Sequence, residues 1–251
     1  MRIPLVLALL AMLAGCATNP LKDARFWKLD QCAGAPNATV RFPGREAGST
    51  IALIPRDSCL ALSRAEAKIG SAANLHADRI QIADMLTPNA FVARDANNLP
   101  VITVTLGMLK ALGPDEASWA ALLGHEIAHL VRKHSEGRKE AEAAAQVGGQ
   151  VVANLIGLFV PGIGGALAGT VGGTATQMAM YGAYTRPQEA EADQMSLRWM
   201  VSAGYDPRGM ERLFELLAKE GAGLPGFLST HPGAGDRAQM VRKFIDSGTF
   251  D

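Results

Sequence analysis

The sequence lacks the basic runs and internal repeats that are typical of several common classes of protein. Basic and acidic residues number 24 each, and they form no basic run. A nucleic-acid interface needs a basic patch, so we expect no nucleic-acid partner. The chain also has no internal repeat, and it contains only 5 histidines and 3 cysteines. The positions of these few residues therefore carry most of the information about chemistry.

Charge is missing altogether from residues 143–185, which contain ten glycines. The apolar run 151–168 is long enough in principle to span a bilayer, but Asn154, Pro161 and the glycines weaken a spanning helix. The alternative is a pair of closely packed helices, broken near Pro161, that cover a cleft or lie against lipid. We favour the packed pair and interpret residues 143–185 as an uncharged, glycine-rich insert.

The first residues have the pattern of a targeting segment. Arg2 provides a positive end, and the apolar run that follows is too short to cross a membrane. It ends in Leu13-Ala14-Gly15-Cys16, which resembles the lipobox of bacterial lipoproteins. We expect a signal peptide over residues 1–15 and a lipid anchor at Cys16, with an ordinary secretory signal as the alternative. Ala17 after the cysteine resembles an outer-membrane sorting pattern, which implies an outer-membrane lipoprotein that faces the periplasm.

Two cysteines remain once Cys16 is assigned to lipid. In an exported, oxidising compartment Cys32 and Cys59 can pair, and we predict a disulfide. Two free buried thiols are the alternative, because sequence alone does not place the two Cα atoms within bridging distance. No histidine lies near either cysteine in the chain, so neither is expected to be catalytic.

The strongest chemical signal is the segment His125-Glu126-Ile127-Ala128-His129. On an α-helix, histidines four residues apart project from one face and can bind the same ion, while Glu126 can act as general base on a metal-bound water. Apolar residues recur at helical spacing around the motif, and Pro114-Asp115-Glu116 supplies helix-start signals. The segment therefore predicts a helix that supports metal-assisted hydrolysis. We expect this helix to continue past Arg132 and to turn His134 away from the metal, in a surface or supporting role.

A second helix is expected from the capping-box pattern Thr185-Arg186-Pro187-Gln188. It carries Glu189 and Asp193, which are again four residues apart. Alone, such a pair indicates a solvated acidic face. Beside the histidine motif, we expect Glu189 to be the third metal ligand and Asp193 to accept a hydrogen bond from a ligating imidazole. Two histidines and one glutamate are typical of a catalytic Zn²⁺ site with an open position for water.

The rest of the pattern predicts an α+β chain that is mainly helical. A capping box at Ser63 indicates a helix that runs to about Leu75. A small sheet is expected between that helix and the motif helix. Its strands are predicted at Ile80 to Ala83, Asn89 to Ala93 and Val101 to Val104.

Three segments together resemble the HtpX and CAAX-protease family of zinc metallopeptidases. They are His125-Glu126-Ile127-Ala128-His129, the run from Glu189 to Asp193, and Ser229-Thr230-His231-Pro232 with Arg237. The resemblance covers about residues 74–244 and is greatest to the family's small outer-membrane lipoproteins. It implies a zincin-like fold of the gluzincin type, with the sheet packed beside the metal-binding helix. We divide the chain into a signal peptide (1–15), a lipidated linker and irregular cap (16–60), and a metallopeptidase domain (61–251).

The resemblance also implies three further roles. A lone loop histidine is usually a surface residue, but here His231 is expected near the metal, where it fills the open position at rest or donates to the oxyanion. Arg237 is expected to support the same corner. The strand segment Asn89, Ala90 and Phe91 is expected to form an edge to which an extended substrate adds.

The expected protein is a lipid-anchored zinc endopeptidase that acts in envelope protein quality control. Its expected substrates are unfolded or misassembled envelope proteins, and outer-membrane assembly machinery is a candidate partner. One alternative is a zinc-bound chaperone or assembly scaffold that holds client strands without cutting them. A second is a membrane-embedded protease. Glu126 argues against the scaffold, because a protein that only binds clients needs no base beside the metal.

Overall fold

The computed structural model describes residues 24–75, 80–94, 99–134, 184–220, 231 and 233–250. The expected signal peptide, Cys16, His76 and nearly all of the glycine-rich insert lie outside these residues. The described strands are β1 (Phe26–Lys28), β2 (Thr39–Pro43), β3 (Thr50–Pro55), β4 (Ile80–Ala83), β5 (Ala90–Arg94) and β6 (Pro100–Thr105). The described helices are α1 (Leu29–Ala33), α2 (Arg56–Ala72), α3 (Leu106–Leu112), α4 (Glu116–Val131), α5 (Arg186–Ser202), α6 (Arg208–Glu220) and α7 (Ala234–Ser247). The prediction of a mainly helical chain with a small sheet is confirmed.

The main sheet has the strand order β1-β4-β6-β5. Its two inner strands, β4 and β6, run parallel, with Ile82 opposite Val104, and β1 and β5 pair antiparallel at the two sides. The inner strand β6 is buried from Val101 to Thr105, as its β-branched sequence indicates. All three strands predicted for this sheet are present to within one residue at each end.

Residues 24–60 contain regular structure that joins the rest of the fold. Strand β1 extends the main sheet through β4, and β2 and β3 form a separate hairpin. A disulfide between Cys32 and Cys59, with Cα atoms 5.7 Å apart, joins α1 to α2. Helix α2 crosses residue 60, where the sequence analysis places the start of the metallopeptidase domain.

The predicted start of α2 at Ser63 is wrong, because the helix already begins at Arg56. Pro55 precedes its first turn, and Cys59, Leu62 and Ile69 are fully buried on one face. That buried face extends through the capping-box pattern at Ser63. Tertiary packing therefore continues the helix across a local start signal.

Helix α4 lies at the centre of the molecule and packs against α2, α5 and α6. Asp115 caps it by accepting from the Ser118 amide, as its start signals predict. Trp119, Leu122 and Leu123 are fully buried, and burial of each leucine contributes about 1.5–3 kcal/mol of transfer free energy. The predicted continuation past Arg132 is wrong. The helix ends at Val131, and Lys133 adopts a left-handed backbone with φ of 55°.

Within the described ranges, no helix is both long enough and apolar enough to cross a membrane.

Candidate active site

Helix α4 presents His125, Glu126 and His129, all of them buried. The Nε2 atoms of His125 and His129 lie 3.0 Å apart. This proximity follows from their spacing on the helix, which puts both side chains on one face. The helix thus directs two imidazole nitrogens at one point, with a buried carboxylate next to them.

Helix α5 brings the acidic pair to the same place. The Thr185 capping box starts this helix, so that Glu189 falls in its first turn and Asp193 one turn later. Glu189 Oε1 lies 3.4 Å from His129 Nε2, and Glu189 Oε2 lies 3.5 Å from His125 Nε2. On the far side of the His125 ring, Asp193 Oδ1 lies 2.9 Å from Nδ1. Glu189 therefore faces the two Nε2 atoms, and Asp193 accepts from His125.

His231 completes a cluster of four side chains that could hold a metal ion. Its Nδ1 lies 3.0 Å from His125 Nε2 and 3.0 Å from Glu189 Oε1, while its Nε2 lies 3.4 Å from Glu126 Oε1. One ligand atom from each of His125, His129, Glu189 and His231 lies within 4.8 Å of the other three. The loop histidine is fully buried here, in contrast to the usual surface position of such a residue.

Arg237 on α7 neutralises the acidic side of the cluster. Its Nε and Nη2 donate to the two Asp193 oxygens at 2.8 and 2.7 Å, and its Nη1 contacts Glu189. The guanidinium also lies over the Phe214 ring, 4.8 Å from its centroid. A buried arginine paired with two carboxylates holds both of them in place and reduces the repulsion between their charges.

Burial controls the protonation of the cluster. It lowers the pKa of His129 to about 2 and that of His125 well below its usual value, with further lowering from neighbouring positive groups. Burial also raises the pKa of Glu189, while contacts with His129 and Arg237 oppose this rise. For Arg237, burial acts to lower the pKa, but the hydrogen bonds to Asp193 and the attraction of the nearby carboxylates together outweigh it and raise the pKa. The two helix histidines are thus neutral, which is the form that binds metals.

The donor set and its spacing fit a zinc ion. Zinc in proteins is tetrahedral and takes histidine nitrogen and carboxylate oxygen at about 2.0–2.2 Å, which places neighbouring ligand atoms about 3.4 Å apart. The distances among His125 Nε2, His129 Nε2 and the Glu189 oxygens are 3.0, 3.4 and 3.5 Å. The residues present therefore suit zinc in both chemistry and separation.

Two further aromatic rings, those of Tyr184 and His134, lie next to the cluster. Tyr184 stacks on His129, with ring centroids 3.6 Å apart and planes 21° from parallel. His134 is buried, with its Nδ1 2.9 Å from His129 Nδ1, so of its two expected roles it takes the supporting one. No sequence pattern marked Tyr184 beyond its place just before the Thr185 cap, and His134 was assigned to a continuing helix that in fact ends.

The segment expected to bind substrate lies on an outer strand of the main sheet. β5 pairs with β6 and contacts α4. Asn89, just before the strand, receives a hydrogen bond from the Thr105 amide on its backbone oxygen at 3.0 Å. Ala90 is fully buried and Phe91 is half-buried. In the described part of the chain, β5 has a strand partner on one side only.

Comparison with known proteins assigns the family. Residues 61–245 match Peptidase family M48. The chain belongs to Peptidase family M48. The predicted zinc metallopeptidase family is thereby confirmed, and so is the zinc cofactor of that family, for which the cluster supplies a fitting site. Residues 61–245 thus place the chain in a family of metallopeptidases.

Three relatives from Escherichia coli (strain K12) illustrate the similarity within M48. The metalloprotease YcaL is 26% identical over 148 residues, which cover 59% of this chain and 56% of YcaL. The metalloprotease LoiP is 28% identical over 157 residues, covering 61% and 60% of the two chains. The beta-barrel assembly-enhancing protease is 27% identical over 151 residues, covering 55% and 30%. The chain thus matches less than two thirds of the length of each of these relatives.

Proposed function

We propose that this chain is a zinc endopeptidase of the bacterial envelope in which His125, His129 and Glu189 hold the metal. The observation that carries the proposal is the buried convergence of these side chains, with Glu126 beside them, inside the region that matches a peptidase family. A site that only stores or senses a metal needs no buried carboxylate base next to its ligands. We retain a zincin-like fold of the gluzincin type for the domain over residues 61–251, preceded by the segments 1–15 and 16–60, as part of this proposal.

Glu126 carries the proton transfers of the proposed mechanism. Zinc, when bound, supplies Lewis acidity that polarises the scissile carbonyl and acidifies the attacking water. Glu126 takes the proton from that water and passes it to the leaving amine. Asp193 accepts a hydrogen bond from His125 Nδ1, and Arg237 holds Asp193 and Glu189 together. These contacts keep the ligands oriented while the buried site excludes bulk water.

His231 is proposed to regulate access to the site and to assist the reaction. Its Nδ1 contacts both His125 and Glu189, so it can fill the fourth ligand position in the resting protein. If it moves aside when substrate binds, its imidazole can donate to the oxygen on which negative charge develops. Replacing His231 with alanine separates the two roles: basal cleavage rises if blocking dominates and falls if donation dominates.

Substrate is proposed to bind as an added strand along β5. A strand paired on one side has backbone groups available for an extended peptide on the other. Asn89 precedes this strand, Ala90 and Phe91 begin it, and the strand contacts the metal-binding helix. A peptide bound there would run beside the zinc ligands.

The envelope location rests on the leader and on the relatives. The lipobox-like segment ending at Cys16 supports a lipid anchor, and one relative is named for enhancing beta-barrel assembly. We propose that unfolded or misassembled envelope proteins are the substrates, that the role is quality control, and that outer-membrane assembly machinery is a partner. Replacing Cys16 with serine should move the protein from the detergent phase to the aqueous phase in a phase-partition assay. Equal partition of the two proteins would refute the anchor.

The central experiment replaces Glu126 with glutamine in the purified full chain. Zinc content should stay at one equivalent, while cleavage of an unfolded test protein such as casein should fall by about 10²–10⁴-fold. Glu215→Gln, which alters an exposed acid on α6, is the matched control and should cleave normally. Undiminished cleavage by the Glu126 variant would refute the mechanism. If zinc-loaded wild type never cuts unfolded proteins, even with His231 replaced, the scaffold alternative gains.

A further inference from the structure

His134 contacts a metal ligand from outside the zinc cluster. It is buried, and its Nδ1 lies 2.9 Å from the Nδ1 of His129, on the opposite side of that ring from the cluster. Its Nε2 lies 3.2 Å from Glu191 Oε2 on α5. Glu191 in turn forms an ion pair with Arg132 through its other oxygen. A chain of polar contacts thus runs from His129 through His134 to a half-exposed carboxylate.

The backbone after α4 accounts for the position of His134. In a continuing helix, a residue five positions beyond His129 would point more than a quarter turn away from it. The helix instead ends at Val131, and Lys133 takes a left-handed conformation with φ of 55°. Such a conformation is uncommon for a non-glycine residue and persists where surrounding contacts impose it. Here it directs the His134 ring back against the helix.

The hydrogen-bond directions in this chain are mutually consistent. A neutral imidazole that binds a metal through Nε2 carries its proton on Nδ1, so His129 must donate to His134 Nδ1. His134 Nδ1 must then be unprotonated, which places the proton of that ring on Nε2. From there it can donate to the Glu191 carboxylate. Each nitrogen between His129 Nδ1 and Glu191 therefore has one defined role.

Stacking alone does not orient His129. Tyr184 lies parallel to the ring and fixes its plane. A half-turn about the Cβ–Cγ bond preserves this plane but exchanges nitrogen and carbon positions, and it removes Nε2 from the cluster. Only a contact at the ring edge distinguishes the two orientations, and His134 supplies one at Nδ1.

We propose that His134 is a positioning residue that holds His129 in the metal-binding orientation and tautomer, and that Glu191 fixes His134 in the matching tautomer. His134 contacts Nδ1 of His129 as Asp193 contacts Nδ1 of His125, but through an imidazole instead of a carboxylate. The inference rests on the zinc site proposed above. Loss of such a partner commonly weakens metal binding 10–100-fold.

The test compares His134→Asn with His134→Leu in the full chain. The two side chains are similar in size, but only asparagine keeps a hydrogen-bond acceptor near the Nδ1 position. Zinc dissociation constants are measured by competition with a chromogenic chelator, and melting temperatures are measured on the metal-free proteins. His134→Leu should weaken zinc binding at least tenfold, and His134→Asn should remain within about threefold of wild type. Arg132→Ala, which removes the outer ion pair, is the control and should bind zinc normally.

A second measurement needs no variant. Long-range ¹H–¹⁵N spectra of the zinc-loaded wild type, labelled at histidine nitrogen, report the tautomer of each ring. We expect His129 to be protonated at Nδ1 and His134 at Nε2. A His134 ring protonated at Nδ1, or equal zinc affinity in the asparagine and leucine variants, would overturn the inference. A wild type that binds no zinc would instead refute the metal site itself.

Discussion

The crossing of α4 and α5 predicts a clear response to Gly124→Ala. Gly124 immediately precedes His125 and faces α5. A Cβ atom at this position would lie 2.4 Å from Ser196 Oγ, 3.0 Å from Ser196 Cβ and 3.1 Å from Ser196 Cα. The last of these atoms belongs to the backbone, so rotation of a side chain cannot relieve the whole overlap. Helix α5 must shift, and it carries Glu189 and Asp193.

The expected magnitude follows from two opposing effects. Overpacking of a tight contact costs about 1–3 kcal/mol. Replacing glycine with alanine inside a helix stabilises the folded chain by about 0.5–1 kcal/mol. The midpoints of the two ranges leave a net loss of about 1 kcal/mol, which corresponds to a fall of about 2–4 °C in melting temperature for a chain of this size. Because the shift moves two acids of the site relative to His125, zinc affinity should fall as well.

Thermal unfolding with and without chelator measures stability, and chelator competition measures zinc affinity. The double variant Gly124→Ala/Ser196→Gly removes the two nearest clashing atoms and should recover most of the zinc affinity. Ser196→Gly alone is the necessary control, because Ser196 Oγ donates to the Ala121 carbonyl at 2.8 Å and its loss costs about 1 kcal/mol. A Gly124→Ala protein with unchanged melting temperature and zinc affinity would show that α4 and α5 do not cross tightly at this position.

Three further predictions test the fold and the site. Replacing Cys32 and Cys59 by serine should lower the free energy of unfolding by about 3–4 kcal/mol, from the 27-residue separation of the cysteines, as measured in urea; an unchanged midpoint would contradict the bond. Asp193→Asn should raise the zinc dissociation constant about 10–100-fold in a chelator assay, since it removes a charged acceptor from a ligand, and normal affinity would contradict that role. Because burial lowers the pKa of His129 to about 2, the unfolded metal-free chain binds a proton below about pH 6.5 that the folded chain does not. This difference in proton binding lowers the free energy of unfolding of the metal-free protein by about 1.4 kcal/mol for each unit of acidification between about pH 6 and 3. Burial raises the pKa of Glu189, so this residue opposes the loss of stability on acidification. Glu189→Gln should therefore make that loss steeper in denaturant titrations at several pH values. A stability that does not change with pH in this variant would contradict the assignment.

Much of the fold was predictable because its signals are local. The Asp115 cap starts α4, the Thr185 capping box starts α5, and the β-branched run of β6 forms a buried strand, as expected. Each of these signals acts through neighbours within about four residues, so sequence spacing is enough to recognise it. The ends of helices were less predictable. The start of α2 and the end of α4 depend on packing and on a left-handed backbone at Lys133.

The residues able to support the chemistry were recognisable from their spacing alone. The spacing of His125, Glu126 and His129 on one helix, and of Glu189 and Asp193 on another, specified donors that a helix must place on common faces. That the two helix faces meet depends on how α4 and α5 pack against each other. The close crossing at Gly124 brings Glu189 to within 3.5 Å of the histidine nitrogens, and a turn that no local pattern indicated brings His134 against His129. Contacts between distant segments depend on how whole helices pack, and that packing reflects the shape of the entire core rather than any single motif.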